Sequence, residues 1–390
     1  MMDLEKHIKQ KPSDFVVEEV IPFSPRKDGQ FQLFLLKKSS LSTLQVVRFL
    51  SKLLKIKPSD IGFAGLKDRF AVTTQYITVP SDVNIPDKLC FINKGGKWLK
   101  AESIDFGREQ GFCMERVGFT DQKLQLGDNS GNRFVIKIRN IHKEQRKIFY
   151  HNLEIVKKYG CANYFGEQRF GSVKGRNDFI FLYLLKGDVE KALKTYFSIK
   201  GSLKHWGNWE LFYRDLRGNL EDYEKDLILG LKRGLSFEKA IRILPKNVRL
   251  MFNFAFQSFL WNEYLRRYIE SKYPFKRVNF IHSWKLSFYI EVYDIEYLKN
   301  LEIPYTGREY SVNDKLFKEI IREIIDKFGI KEKDFGKEVA GIKVLTDGLR
   351  KAVFFPQDFK IVGKTKDSIT VSFFLPAGSY ATILLRNLLS

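Results

Sequence analysis

One carboxylate set between two cations, Lys67-Asp68-Arg69, is the best-placed candidate for chemistry in this chain. It sits in Ile61-Gly62-Phe63-Ala64-Gly65-Leu66-Lys67-Asp68-Arg69-Phe70-Ala71-Val72-Thr73, with an apolar run before it and an alternating run after it. An ionised aspartate held in such a loop is able to act as a nucleophile or a general base. Small residues ahead of it, Gly62, Ala64 and Gly65, let another backbone or a ligand come close. A solvated charged turn has the same composition, and the spacing alone does not separate the two. Other machinery is missing from the sequence. There is no GxxxxGK[ST] phosphate loop, and Gly62-Phe63-Ala64-Gly65 is not the GxGxxG of a dinucleotide site. No GxSxG elbow occurs, and no paired acids suggest two-metal phosphoryl chemistry. Cys90, Cys113 and Cys161 are odd in number and form no CxxC pair, which argues against a disulfide framework and against zinc. The histidines are isolated. The expectation is no metal and no cofactor.

Charge narrows the partner. Lys and Arg number 67 against 46 Asp and Glu, a formal charge of +21, with a pI near 9.6. A polyanion is the natural partner of such a surface, bound in a salt-dependent way as lysines and arginines displace counterions. A lysine-rich surface of a heat-adapted protein would raise the acids together with the lysines, and here the acids lag. The longest apolar run, Phe179 to Leu185, is strand-sized, and no stretch is long enough to span a bilayer. The first residues, Met1 to His7, have no apolar signal core. A soluble cytoplasmic protein is expected, with no membrane association. No coiled-coil seam appears, so a monomer is expected.

The elements that must position Asp68 follow from pattern. Phe15–Val20 and Phe31–Lys37 read as strands by their β-branched and aromatic content. Ser42 caps a helix over 43–56 on apolar positions Leu44, Val47, Leu50 and Leu54. Residues 61–64 and 73–79 read as strands on either side of Asp68. Residues 80–119 are poorly patterned. Gly127-Asp128-Asn129-Ser130-Gly131 is a turn into a strand over Phe134–Arg139, and 142–159 is a helix stopped by Gly160. Helices then dominate, among them 189–197 capped by Asp188, a long apolar one over 247–269, and one over Asn313–Phe328. Strands return at 343–345, 352–355 and 369–375, and a helix closes the chain over 380–389. Strands, then helices, then strands indicate a core interrupted by an insertion.

Five stretches in order carry a resemblance. They are Lys11-Pro12-Ser13-Asp14-Phe15-Val16-Val17-Glu18-Glu19, the Asp68 stretch, Gly131-Asn132-Arg133-Phe134, Asn163-Tyr164-Phe165-Gly166-Glu167-Gln168-Arg169-Phe170-Gly171 and Leu375-Pro376-Ala377-Gly378-Ser379-Tyr380-Ala381-Thr382. Together the chain resembles the TruD family of tRNA pseudouridine synthases from about residue 9 to residue 386. The resemblance implies an α+β protein: a pseudouridine synthase catalytic core with a mixed, largely antiparallel sheet, and a mostly helical inserted TRUD domain. The expected division is 1–160 and 343–390 for the core and 161–342 for the insertion. It further implies a cofactor-free isomerase that turns a tRNA uridine, most often U13 of the D arm, into pseudouridine. Asp68 matches the catalytic aspartate, Phe134 the aromatic that stacks on the target base, and Asn132 an amide near it. Lys9 falls where a lysine pairs with the aspartate, although Lys67 and Arg69 are its nearest cations in sequence. Ser13 stands where Glu is frequent in the family, and the stretch 117–123 lacks the family's basic run. The alternative from another class is a non-catalytic RNA-binding protein with a structural Asp68.

Overall fold

The computed structural model describes residues 4–173, 178–306 and 314–390. Up to Gly160 the chain forms strands β1 (Phe15–Val20), β2 (Phe31–Ser39), β3 (Gly62–Phe63), β4 (Val72–Pro80), β5 (Lys88–Lys94), β6 (Lys97–Ala101), β7 (Gly111–Thr120) and β8 (Gly131–Arg139). Helices α1 (Glu5–Ile8), α2 (Thr43–Leu54) and α3 (Lys143–Tyr159) connect or flank them. Two late strands, Gln357–Lys364 and Ser368–Pro376, join the same sheet, and the Ala381–Leu388 helix follows. Among the described residues the sheet has ten strands, ordered Gln357–Lys364, Ser368–Pro376, β8, β1, β4, β2, β7, β5, β6, with β3 beside β4. Every neighbouring pair is antiparallel except β1 with β4, which run parallel through Val16 opposite Val72 and Glu18 opposite Thr74.

Helix α2 begins where the sequence says it should. Ser42 Oγ accepts from Gln45 N at 3.2 Å while Gln45 Oε1 accepts from Ser42 N at 2.8 Å, a reciprocal cap. Its buried stripe is Thr43, Val46, Val47 and Leu50, packed on Phe34, Leu36 and Ile77 of the sheet. Each such aliphatic side chain contributes about 1.5–3 kcal/mol by leaving water. Leu44, expected in that stripe, faces outward, because the 3.6-residue period is met by 43, 46, 47 and 50. The helix ends at Leu54 with Lys55 in the left-handed region (φ 56°), ahead of Pro58.

The chain divides into two units, 1–160 with 354–390, and 161–353. Within the second unit, Asp188 accepts from Lys191 N at 3.1 Å to open Val189–Ser198. The Lys246–Lys272 helix buries Trp261, Tyr264 and Tyr268, and Asp314 caps Lys315–Lys327. Of the helix expected over 313–328, Asn313 lies outside the described residues. The run Phe179–Leu185, strand-sized by length, is helical from Ile180 to Leu185. A short apolar run carries no periodicity to separate the two forms.

Two further readings change. Residues 80–119, which show little pattern, hold β5, β6 and β7 at one end of the sheet, and Gln357–Lys364 forms the opposite edge with two register shifts. β6 and Gln357–Lys364 are the two edge strands and are exposed along most of their length, so the alternation that marks a half-buried strand is blurred there. Cys90 and Cys113, read as unpaired, form a disulfide across β5 and β7, where they are directly opposite. That pairing depends on strand register, which the spacing of cysteines does not encode.

Gly131 opens β8 with no room for a side chain: a Cβ there would lie 2.2 Å from Leu375 O and 2.5 Å from the Phe374 ring. Gly131→Ala is expected to cost about 2 kcal/mol through overpacking of this strand pair, read as a lower urea midpoint with an unchanged denaturant slope.

Candidate active site

Asp68 lies in the loop between β3 and β4, and that loop exists because one edge of β4 is shared. β1 pairs with β4 only through Thr74, and β3 pairs with it at Ile77 and Thr78. Glu19, one residue past the paired part of β1, fills the gap: its Oε2 accepts from Tyr76 N at 2.9 Å. Its other oxygen meets Lys67 Nζ at 2.5 Å, with side-chain exposures of 0% for Glu19 and 7% for Lys67. The first cation of Lys67-Asp68-Arg69 is therefore turned inward, away from the aspartate beside it.

Polar groups from below hold the loop residue by residue. Gln75 Nε2 donates to Gly65 O at 3.2 Å, Thr43 Oγ1 accepts from Lys67 N at 3.1 Å, and Thr43 Oγ1 donates to Gln75 Oε1 at 2.8 Å. Lys38 Nζ donates to Asp68 O at 2.9 Å and to Leu41 O at 2.7 Å. Burial pushes the Lys38 ammonium down to about 8; the charge of Asp68 raises it and that of Lys67 lowers it further. Gly62 provides clearance for a neighbouring backbone, since a Cβ there would lie 2.6 Å from Leu124 O. The turn after Leu124 stays against this segment, with Gly127 N donating to Ala64 O at 2.8 Å.

The cation that does meet Asp68 comes from the N-terminal arm. Lys9, at the C-terminal end of α1, places Nζ 3.4 Å from Asp68 Oδ1, with side-chain exposures of 12% and 20%. The same ammonium lies 4.9 Å from the centre of the Phe15 ring. The arm is anchored through Asp14, whose two oxygens accept from Arg139 at 2.8 and 2.7 Å in a bidentate pair. Arg69, the remaining cation of the triplet, is exposed.

Asn132 and Phe134 are brought to the same region by register. On β8 they stand opposite Glu19 and Val17 of β1, and opposite Leu375 and Phe373 on the other side. Phe134 is only 7% exposed. Its ring stacks on Phe373 at 5.4 Å and meets the edge of Phe15 at 6.1 Å. The Asn132 Oδ1 atom is buried and has no hydrogen-bond partner among the described residues. The fourth sequence block, Asn163 to Gly171, belongs to the other unit. There Tyr164, Phe165 and Phe170 are buried, and Arg350 donates to Asn163 O at 2.9 Å. Its aromatic residues pack a core, while Gln168 and Arg169 are exposed. Among the described residues no group of three His, Cys, Asp or Glu converges as a metal site, and no helix is long and apolar enough to cross a membrane.

Reasoning from sequence did not single out Glu19, Lys38, Thr43 or Gln75. Two of them left a signal. Phe15, Val17 and Glu19 alternate on the buried face of β1, and Phe34, Leu36 and Lys38 on that of β2. A charge at a core position of a strand breaks the pattern and marks a place to examine.

Comparison with known proteins gives one answer. The family model described as tRNA pseudouridine synthase D (TruD) matches residues 2–280 and 297–388. A relative from Aquifex aeolicus, tRNA pseudouridine synthase D, is 40% identical over 99% of this chain and 98% of its own length. One of the same name from Leptospira interrogans is 28% identical over 98% of this chain and 95% of its own. A crystal structure from Methanosarcina mazei, of a candidate tRNA pseudouridine synthase D (TruD), superposes with a TM-score of 0.62 at 22% identity. It covers 98% of this chain and 93% of that one, which establishes the shared fold.

The two lysines near Asp68 should differ in what they hold up. Lys67→Met strands the fully buried Glu19 carboxylate and is expected to cost about 3–4 kcal/mol. Lys9→Met breaks a longer, partly wetted pair and is expected to cost about 1 kcal/mol. Urea unfolding of both variants checks the order; equal losses would mean that the Glu19–Lys67 pair carries no special burden.

Proposed function

Because the chain belongs to the TruD family of tRNA pseudouridine synthases, we propose that it isomerises a tRNA uridine to pseudouridine with Asp68 as the acting carboxylate, U13 of the D arm being the expected position. The observation that carries this reading is the Asp68–Lys9 pair at 3.4 Å, held on a loop that four buried polar groups fix from behind. In the reaction the C1′–N1 bond breaks, the freed uracil rotates, C5 bonds to C1′ and gives up its proton, and N1 takes one up. Atoms balance without any added reagent. Asp68 serves either by attacking C1′ or by taking a proton from C2′ to give a glycal; both routes begin from the carboxylate anion. Lys9 balances that anion once substrate displaces the water around it, where an unpaired charge is costly.

The uridine must leave its stack before C1′ can be reached, at a cost of a few kcal/mol. Phe134 is assigned the aromatic that offsets part of this. Phe373 stacks on its ring and the edge of Phe15 meets it, so a base would use the small part of Phe134 that stays open. The unpartnered Asn132 Oδ1 is assigned as an acceptor for the incoming nucleotide, which would remove the cost of leaving it unsatisfied. The excess of 21 positive charges supports tRNA as the partner.

Asp68→Asn is expected to lose pseudouridine formation in a tritium-release assay while keeping salt-dependent tRNA binding. Turnover at the wild-type rate would instead favour an RNA-binding protein with a structural Asp68. Phe134→Ala would leave a core cavity worth about 3–5 kcal/mol, so Phe134→Leu is the cleaner variant. It should remain folded and lose about tenfold in turnover, within the 1–3 kcal/mol of one base-stacking contact.

A further inference from the structure

Lys38 is the one lysine wholly buried among the described residues, at 0% exposure. It stands on β2 in line with Phe34 and Leu36, at a position where a strand facing a helix ordinarily carries an aliphatic residue. An ammonium there loses its hydration, and among the described residues it receives in return two carbonyl oxygens in direct contact. Methionine would fill the same volume without that cost. The two carbonyls are what distinguish the site. Leu41 O belongs to the turn between β2 and α2, and Asp68 O to the loop between β3 and β4. One rigid cation thus ties together two loops that have no strand pairing with each other.

The bond to Asp68 O acts on the peptide plane that leaves the aspartate. Thr43 holds the plane entering Lys67 through its N–H, and Gln75 holds the carbonyl of Gly65. These two supports fix the approach to residue 68. Lys38 fixes the departure, so that the direction of the Cα–Cβ bond of Asp68 is set on both sides. The charged groups near Lys38 are Asp68, paired with Lys9, and Lys67, paired with Glu19.

We propose that Lys38 is a positioning residue for the reaction: by joining the carbonyls of Leu41 and Asp68 it sets the direction from which the Asp68 carboxylate meets the ribose. This rests on the reading that Asp68 acts on a tRNA uridine. A carboxylate displaced by about 1 Å from its productive place loses on the order of 10²-fold in rate, whereas tRNA affinity comes from the wider basic surface.

Lys38→Met is the test, with two independent readouts. In steady-state assays kcat should fall by about 10²-fold with KM and tRNA affinity close to wild type. In hydrogen exchange of the free protein, amides of 64–71 should exchange faster, while those of the second half of α2 stay protected. Unchanged kcat, or unchanged exchange of that loop, overturns the proposal. Loss of kcat and tRNA binding together also overturns it, because that is general damage to the core. If Lys38→Met gives no thermal transition, Lys38→Gln, which keeps a donor without the charge, takes its place. A failure of both to fold makes Lys38 a core requirement and overturns the positioning role. Should the wild-type protein make no pseudouridine in any tRNA, the reading of the reaction fails on its own; the exchange experiment still decides what Lys38 holds.

Discussion

The shared edge of β4 is the constraint from which the site follows. A strand paired along its whole length on both sides leaves no space for a loop at mid-sheet. Here β2 occupies one edge of β4 completely, while β1 and β3 divide the other. The chain leaving β3 must therefore pass around the end of the β1 pairing before it enters β4. Asp68 is carried on that detour. The missing ladder bond is supplied by a side chain, Glu19, and that choice brings a buried negative charge, which Lys67 then neutralises at 2.5 Å. The ion pair is a consequence of topology before it is anything else.

Three lysines surround one aspartate and do different work, which a net count of charges conceals. Lys67 answers Glu19, Lys38 answers two carbonyls, and Lys9 faces the Asp68 carboxylate. Proximity in sequence is a poor guide to such assignments. Adjacent residues in a loop point in different directions, so Lys67 turns to the interior, while Lys9, 59 residues earlier, arrives across the sheet. The bidentate Asp14–Arg139 pair makes this possible by fixing the arm against β8.

Much of this architecture was legible beforehand, and the reasons for the gaps are physical. Capped, amphipathic helices such as α2 and α3 announce themselves, because Ser42 and Gly160 punctuate a regular period. Central strands such as β1 and β8 alternate, because one side of each is buried. The edge strands β6 and Gln357–Lys364 do not, because both of their sides are largely solvated. The candidate residues Asp68, Asn132, Phe134 and Lys9 were found by motif, and their mutual geometry depends on register, which motifs do not state. Glu19 and Lys38 had the opposite fate: alternation put charges on the buried face, yet a charged residue in a strand is easily read as an exposed one. The Cys90–Cys113 bridge needed the pairing of two strands that pattern did not reveal.

The position of the last two strands has a consequence for how the protein comes to be folded. Ser368–Pro376 lies beside β8, with Leu375 opposite Asn132 and Phe373 opposite Phe134, so these residues gain their neighbours only when a distant part of the chain returns. Closing so long a loop is an entropic burden that grows with the logarithm of its length. The inserted unit relieves it by itself, since Asn163 N donates to Ala352 O at 2.8 Å and its two ends are joined. Once that unit has folded, the chain still to be closed between β8 and Ser368–Pro376 shortens from roughly 230 residues to roughly 35, a difference of about 1.7 kcal/mol. The helical insertion is thus a folding clamp for the sheet that it interrupts, and maturation of the Asp68 neighbourhood is coupled to the order in which the two units fold.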